Sequence, residues 1–339
     1  MNSEDISIIN KLLSTPKKIV VIGHKNPDGD AIGSSLGLCN FLKQKGHQVQ
    51  VVMPNDFPEF LKWIPEASTI INYEQNFEDT KTAIEQAEII FTLDFNALNR
   101  TGNLATELER ATADFILIDH HQQPDDYAIV TYSDVAMCST SEMIFHFMEK
   151  LKGIQLLNKK IATQLYVGIM TDTGSFRFSA TTATTHRVIA NLIEAGAEND
   201  SIHQNVYDTN SPDRLKLLGT ALNNMVILPQ FRTAYITISQ NELNNNNFKK
   251  GDTEGFVNYA LSMSGVIFAI IFIENKKEDI VKISLRSKGD FSVNEFSRNH
   301  YNGGGHTNAA GGRSLKKLPE TIEEFISILP LYKKELNES

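Results

Sequence analysis

Acids and imidazoles collect at three places in this chain, and each place directly follows a short apolar, β-branched run. His24, Asp28 and Asp30 follow Lys18–Ile22, Asp94 follows Ile89–Leu93, and Asp119, His120 and His121 follow Phe115–Ile118. Carboxylate and imidazole donors without thiolates suit Mn²⁺ or Mg²⁺, with Co²⁺ or Zn²⁺ as substitutes. Four acids brought together cannot all stay ionised without a counterion or raised pKa values. One aspartate shared by two ions would set them roughly 3.5–4 Å apart. A hydroxide formed between the ions would attack phosphorus in line, with charge on the equatorial and leaving oxygens offset by the metals. The chemistry to expect is metal-assisted phosphoester hydrolysis.

Whether the three clusters meet depends on the elements that carry them. Lys18–Ile22 (KIVVI) is the kind of continuous run that is buried in a parallel sheet. A helix is predicted from about Asp30, with Ile32, Leu36 and Cys39 at helical spacing and Gly46 as its stop. Val49–Met53, Ile89–Leu93 and Phe115–Ile118 are predicted as further strands, separated by polar, helix-compatible stretches. This alternation implies an α/β fold, with an N-terminal parallel sheet covered by helices on both faces. Parallel strands present their carboxyl ends on one edge, where such sheets bind ligands, so the clusters should converge there. Pro27 and Gly29 shape the first cluster as a turn. Asp30 is equally suited to capping the helix that follows.

Ser139-Thr140-Ser141-Glu142 has the form of a capping box opening a helix through Met148. Helices are also predicted from Asn158, with Ile161, Leu165 and Ile169 on one face, and from Thr184 to Ala195, stopping at Gly196. Another runs from Ser211-Pro212 through Met225, with serine as cap and proline in the first turn. The pattern then changes. Thr233–Ile238, Val266–Ile273 and Ile280–Leu285 are expected strands of a smaller mixed α/β domain. The division expected is a domain over 1–198, a helical connector over 199–225, a second domain over 226–330 and a charged tail over 331–339. No internal repeat is present.

Two further clusters carry weaker signals. Asp172, in GIMTDTGSFR, sits at a predicted helix end and could reach the same site, although a surface turn explains it equally well. Arg177 suits a phosphate clamp or an ordinary surface ion. In NGGGHTNAAGG, the Gly303, Gly304 and Gly305 backbone could approach an anion closely, with His306 adding a donor or a positive charge. Arg286, at the end of a predicted strand, could supply a permanent charge for a terminal phosphate, and its neighbour Lys288 is expected to be solvated. His47, His146, His186, His203 and His300 lack such company and are expected at the surface or in packing.

The chain of 339 residues, 41% hydrophobic and 22% charged, has room for two ordinary cores. Its 32 basic and 41 acidic side chains leave a formal charge of -9, which argues against a protein that coats long nucleic acid. A short phosphate-bearing ligand in a local positive pocket remains compatible with that balance. Cys39 and Cys138 have no thiolate-pair spacing, which speaks against a disulfide framework or a cysteine zinc site. The first residues lack a signal-peptide pattern, and the longest apolar stretch, Val266–Ile273, is far too short to span a bilayer. A cytoplasmic setting without membrane partners is expected, and a homo-oligomer is compatible with it.

HKNPDGDAIGS, the aspartate of FTLDFN, the DHH at Asp119–His121 and MTDTGSFRFS resemble, in order, the four motifs of the DHH phosphoesterase superfamily. SLRS followed by GGGHTNAAGG resembles the C-terminal domain associated with it in the RecJ-like branch. The resemblance covers about Lys18 to Arg313, and the two-domain length is similar to the nanoRNase and 3′-phosphoadenosine-5′-phosphate phosphatase subfamily. It implies one metal on His24, Asp28 and Asp94, and a second on Asp30, Asp94, His120 and Asp172, with Asp94 as the bridge. Asp119 and His121 would orient ligands and substrate around the catalytic Asp94 and His120. Arg286, the Gly303–Gly305 backbone and His306 would grip a terminal phosphate or nucleotide. The implied activity is Mn²⁺-dependent hydrolysis of short oligoribonucleotides to mononucleotides, with 3′-phosphatase action on adenosine bisphosphate. Cyclic or linear dinucleotide signals are the alternative substrates, and a non-catalytic nucleic-acid-binding module is the alternative class.

Overall fold

The computed structural model describes residues 1–338 and forms two compact units, Met1–Thr209 and Asn210 onward. The first unit holds strands β1 (Lys18–Ile22), β2 (Gln48–Met53), β3 (Ile71–Asn72), β4 (Ile89–Leu93), β5 (Asp114–Asp119) and β6 (Val130–Ser133). Its helices are α1 (Ser3–Leu12), α2 (Gly29–Gln44), α3 (Phe77–Gln86), α4 (Ala105–Arg110), α5 (Thr140–Lys150), α6 (Lys159–Asp172), α7 (Ala183–Glu194) and α8 (Asn199–Tyr207). The strands are all parallel, in the order β3-β2-β1-β4-β5-β6. Neighbouring residues on a strand point to opposite faces, so each strand feeds two cores. Val21, Val51, Phe91 and Ile118 pack with the helices α2, α5 and α6, whereas Val20, Val52, Ile90 and Phe115 pack with α3 and α4. Helices on both faces follow from that alternation, as the sequence pattern predicts.

Strand order reverses between β1 and β4, because β2 and β3 lie on one side and β5 and β6 on the other. Such a reversal leaves the loops after the two central strands diverging, which opens a crevice at their carboxyl ends. Helices α2, α5 and α6 pack tightly against one another beside it. A Cβ on Gly33 would stand 2.4 Å from the Gln164 carbonyl, and one on Gly168 would stand 1.9 Å from Ser141 Oγ. Only glycine permits that approach.

The second unit contains helix α9 (Pro212–Asn223), strands β7 (Val226–Leu228) and β8 (Thr233–Ile238), and helices α10 (Gln240–Asn245) and α11 (Phe256–Leu261). Strands β9 (Phe268–Asn275) and β10 (Ile280–Ser287), helix α12 (Val293–His300), strands β11 (Gly304–His306) and β12 (Ala309–Ser314), and helices α13 (Leu318–Ile328) and α14 (Lys333–Glu338) complete it. The sheet order is β11-β12-β10-β9-β8-β7, with β8 and β9 parallel and the other pairs antiparallel. Phe268, Phe272, Leu285, Phe296 and Phe325 form the core on one face, and Ala234, Ile236, Phe256 and Ile271 on the other. Among the described residues no helix is long and apolar enough to cross a membrane.

Several details differ from expectation, each for a tertiary reason. The unit boundary falls inside the segment expected as a connector. Ile202 and Val206 of α8 join the first core, while Leu217 and Ala221 of α9 join a core of the second unit. The stretch expected as a charged tail is helical over Lys333–Glu338, because Leu336 is fully buried and its carbonyl accepts from Arg232 Nη1 at 3.2 Å. The capping box at Ser139 is half made. Ser139 Oγ accepts from the Glu142 N–H at 3.0 Å, but the Glu142 carboxylate turns inward to Cys138 Sγ at 2.7 Å and Thr185 Oγ1 at 3.1 Å. The glycine-rich segment, read only as backbone that could approach an anion, is the β11–β12 hairpin at the sheet edge.

Candidate metal centre and a basic hairpin

Three strand ends and two helix ends build the centre in the first unit. After β1 the chain turns through Asn26, whose backbone is left-handed at φ 57°. The turn is tied to the loop after β2, since Asn55 Oδ1 accepts from the Asn26 N–H at 2.7 Å and Asn55 Nδ2 donates to Asn26 Oδ1 at 2.9 Å. Asp28 caps α2, accepting from the N–H groups of Asp30 and Ala31 at 3.0 and 3.1 Å through Oδ1. Oδ2 remains directed at His24 Nε2, 3.8 Å away. Asp30 therefore does not cap the helix. It lies one turn-position further in, almost fully buried, and its two oxygens accept from the backbone N–H groups of Thr140 at 2.6 Å and Ser141 at 2.8 Å.

Asp94 leaves β4 in the left-handed region at φ 64°, an uncommon state for a residue with a side chain. Its own N–H donates to the Ile118 carbonyl at 3.2 Å, and its carboxylate is 2% exposed. Oδ2 lies 3.6 Å from His24 Nε2, and Oδ1 lies 3.4 Å from His120 Nε2. His120 Nε2 is also 3.6 Å from Asp172 Oδ2 and 3.9 Å from Asp30 Oδ2. His24/Asp28/Asp94 and Asp30/His120/Asp172 form donor sets, the second touching Asp94 as well, and Asp94 also groups with Asp119 and His121. His121 Nδ1 donates to Asp119 Oδ1 at 2.7 Å, while Oδ2 of the fully buried Asp119 has no hydrogen-bond partner among the described residues.

The tautomers fit a cation. His24 Nδ1 faces the Lys25 carbonyl at 2.9 Å and His120 Nδ1 faces the Met137 carbonyl at 3.2 Å. A carbonyl only accepts, so both Nδ1 atoms carry a hydrogen, and it is Nε2 that would give up its proton and offer a lone pair to a cation held among the acids. Separations of 3.4–3.9 Å are long for hydrogen bonds but natural for two ligands each about 2.1 Å from a common ion.

Electrostatics point the same way. Burial raises Asp30, and the charges of Asp94 and Asp172 raise it further, well above the ordinary carboxylate range. Burial lifts Asp172 to about 6, against the pull of His120 and with the push of Asp28 and Asp94. Asp94 is the opposite case. Burial would raise it, but the facing imidazoles of His120 and His24 hold it well below the usual range. Burial disfavours the charged forms of His24 and His120, yet the surrounding carboxylates hold both well above the ordinary imidazole value. Protons are retained here because the acids crowd one another.

All six expected ligand residues therefore come together with Asp119 and His121, and the helix end places Asp172 inside the second donor set. Arg177 does not join them. It is exposed, and its Nε donates back to the Gly174 carbonyl at 2.7 Å. Sequence reasoning missed Thr140 and Ser141, which hold Asp30 and Asp94. The signal was there in a run of three hydroxyl residues opening a helix, but it was assigned to capping alone.

In the second unit Arg286 on β10 pairs with Ala309 on β12, and Ala309 pairs with His306 on β11. Residues in one cross-strand row share a face, so Arg286 and His306 stand on the same side of the sheet, two strand spacings apart. The glycine N–H groups are placed differently from expectation. Gly303 donates to the Ser297 carbonyl at 3.3 Å and Gly305 to Asn294 Oδ1 at 3.0 Å, so these two serve the hairpin itself. Ser297 Oγ donates to the Gly311 carbonyl at 2.6 Å, and a Cβ on Gly303 would stand 1.9 Å from that same oxygen. The glycines let α12 lie against the hairpin.

A family model described as the DHH family, N-terminal domain, matches residues 18–169, which contain Asp119-His120-His121 at the end of β5. The chain belongs to the DHH family. A DHHA1 domain model matches residues 231–333, which include the Arg286 row and the hairpin. The bifunctional oligoribonuclease and PAP phosphatase NrnA of Thermus thermophilus is 28% identical over 313 residues, 91% of this chain and 89% of that protein. The protein of the same name from Bacillus subtilis is 28% identical over 302 residues, 89% of this chain and 90% of its own. A crystal structure of an exopolyphosphatase-related protein from Bacteroides fragilis is 37% identical, covers 99% of this chain and 98% of its own, and superposes with a TM-score of 0.94. As a DHH-family member this protein is a phosphoesterase, and the acid–imidazole centre suits the divalent metal chemistry of such an enzyme.

Proposed function

We propose that this DHH phosphoesterase hydrolyses short oligoribonucleotides to mononucleotides and removes the 3′-phosphate of adenosine 3′,5′-bisphosphate. The observation that carries the reading is the division of Asp94 between two donor sets, one oxygen toward His24 and the other toward His120. Two divalent ions, Mn²⁺ by preference, would be held by His24, Asp28 and Asp94 and by Asp30, Asp94, His120 and Asp172. When bound, such a pair supplies an acidified water and neutralises charge on the phosphate.

The protein's own groups do the rest. Nδ1 contacts to backbone carbonyls keep His24 and His120 in the tautomer that presents Nε2. Asp119 orients His121 through the 2.7 Å bond, which suits the ring to contacting a phosphate oxygen or a leaving group. Arg286 and His306 offer donors on one face of the second sheet, suited to a terminal phosphate. Two NrnA relatives of similar length support the substrate class, and the acidic composition supports short rather than long chains.

The test is a panel of Mn²⁺-dependent hydrolysis assays on dinucleotides, longer RNA and DNA, adenosine bisphosphate, cyclic dinucleotides and pyrophosphate. Dinucleotides and adenosine bisphosphate should lead. Equal rates on a dinucleotide and a long strand would sink the length preference, and turnover confined to cyclic dinucleotides would replace the substrate class.

A further inference from the structure

Thr140, the first residue of α5, lies outside every acid and imidazole cluster in the sequence and is fully buried. Its backbone N–H donates to Asp30 Oδ2 at 2.6 Å, and its hydroxyl donates to Asp94 Oδ1 at 3.0 Å. The next N–H, from Ser141, takes the other oxygen of Asp30 at 2.8 Å. One helix end therefore orients two carboxylates. N–H groups in a first helical turn lack a partner within the helix, so both are available for Asp30, and the positive end of the helix favours its charge.

The hydroxyl has a different task. Rotation of an aspartate about its last torsion is broad, and the left-handed backbone of Asp94 does not determine the plane of its carboxylate. That plane matters because Oδ1 faces His120 at 3.4 Å while Oδ2 faces His24 at 3.6 Å. A quarter turn would withdraw both oxygens from their donor sets together. The Thr140 hydroxyl is bonded to Oδ1 and resists such a turn. Its own position is secured in turn, since Ser139 caps α5 and the Glu142 carboxylate one turn on is held by Cys138 and Thr185.

We propose that Thr140 is a positioning residue of the metal centre, whose hydroxyl sets the plane of Asp94 so that one oxygen serves each donor set and binding at the two sites is coupled. The proposal rests on the reading of Asp94 as the shared ligand. Thr140→Val keeps the branched shape and removes the hydroxyl, whereas Thr140→Ser keeps the hydroxyl and removes the methyl.

The experiment is Mn²⁺ titration of the full chain by calorimetry, with electron paramagnetic resonance of the bound ions and melting curves with and without Mn²⁺. Wild type should bind two coupled ions. Thr140→Val should weaken binding by about 10–100-fold, as loss of a group that orients a ligand does. It should also reduce the Mn²⁺-induced rise in Tm and lower kcat, while KM at saturating Mn²⁺ stays near wild type. Thr140→Ser should restore Mn²⁺ affinity and the paired signal. Wild-type affinity in Thr140→Val, or a Thr140→Ser variant as weak as the valine, would overturn the proposal. Should the valine variant not fold, Thr140→Ala against Thr140→Ser decides it in the same way. A wild-type chain that binds fewer than two ions would overturn the two-ion reading, and this proposal with it.

Discussion

The centre in the first unit and the basic hairpin in the second reach order by opposite means. In the first, charged side chains are buried at element ends, and Asp30, Asp94, Asp119 and His120 are each at most 3% exposed. Their geometry is set by backbone groups, such as the Thr140 and Ser141 N–H groups and the Lys25 and Met137 carbonyls. In the second, the backbone of a glycine hairpin is pinned by side chains of α12, and Arg286 and His306 are only half-buried. Buried like charges demand a counterion, whereas a half-buried guanidinium and an imidazole on one sheet face suit recognition of an anion. The first arrangement suits chemistry and the second suits recognition.

The largest effect that sharpens this contrast should come from Asp94→Asn. Asparagine tolerates the left-handed backbone, so the change isolates the charge. Turnover should fall by more than about 10³-fold, beyond the usual loss for one charge-stabilising group, because Asp94 faces both donor sets. Calorimetry should show loss of Mn²⁺ pairing with a preserved circular-dichroism spectrum. Arg286→Ala should act differently, raising KM by about 10–100-fold, the worth of a charged hydrogen bond, with Mn²⁺ affinity unchanged. An Arg286 variant that lost metal binding, or an Asp94 variant that only raised KM, would break the comparison.

Acid should discriminate between the two regions as well. With Asp172 raised to about 6, a metal ion must displace a proton below that pH. Mn²⁺ affinity should therefore weaken by about tenfold per pH unit below 6 for that one proton. For the metal-free chain the sign is reversed. Asp172 holds its proton more tightly when folded than when unfolded, so its contribution to stability is present at low pH and is lost as pH rises through about 6. Melting curves from pH 4 to 8, with and without Mn²⁺, should show the two trends opposed. The smallest effect should come from Ser139→Ala. Loss of this cap should cost about 1 kcal/mol, a Tm shift of a few degrees. Mn²⁺ affinity should stay within about threefold of wild type, because that loss is far smaller than removal of a direct bond to the ligand.

The acids and imidazoles of the centre were legible because they follow strands whose apolar runs are unmistakable. Phe115–Ile118 ending in Asp119-His120-His121 is the clearest case. β6 was not legible, because its four residues alternate in burial and carry no continuous apolar run. The hairpin strands were hidden by glycine, which has no side chain to declare a strand. The end of the chain was misread for a similar reason, since one buried leucine among charged neighbours makes α14 part of a core.

Residue type and local order along the chain determined that strands alternate with helices and that acids and histidines stand at three strand ends. They also determined the donor chemistry, since carboxylates and imidazoles without thiolates favour hard divalent ions. Tertiary structure alone decided that strand order reverses between β1 and β4, which of Asp28 and Asp30 caps α2, and that Thr140 reaches Asp94. The strand order and the Thr140–Asp94 bond depend on residues far apart in sequence, and Asp30 is held off the cap by Thr140, 110 positions away. Local preferences act over a few residues, whereas the plane of one carboxylate is set by whatever the fold brings beside it.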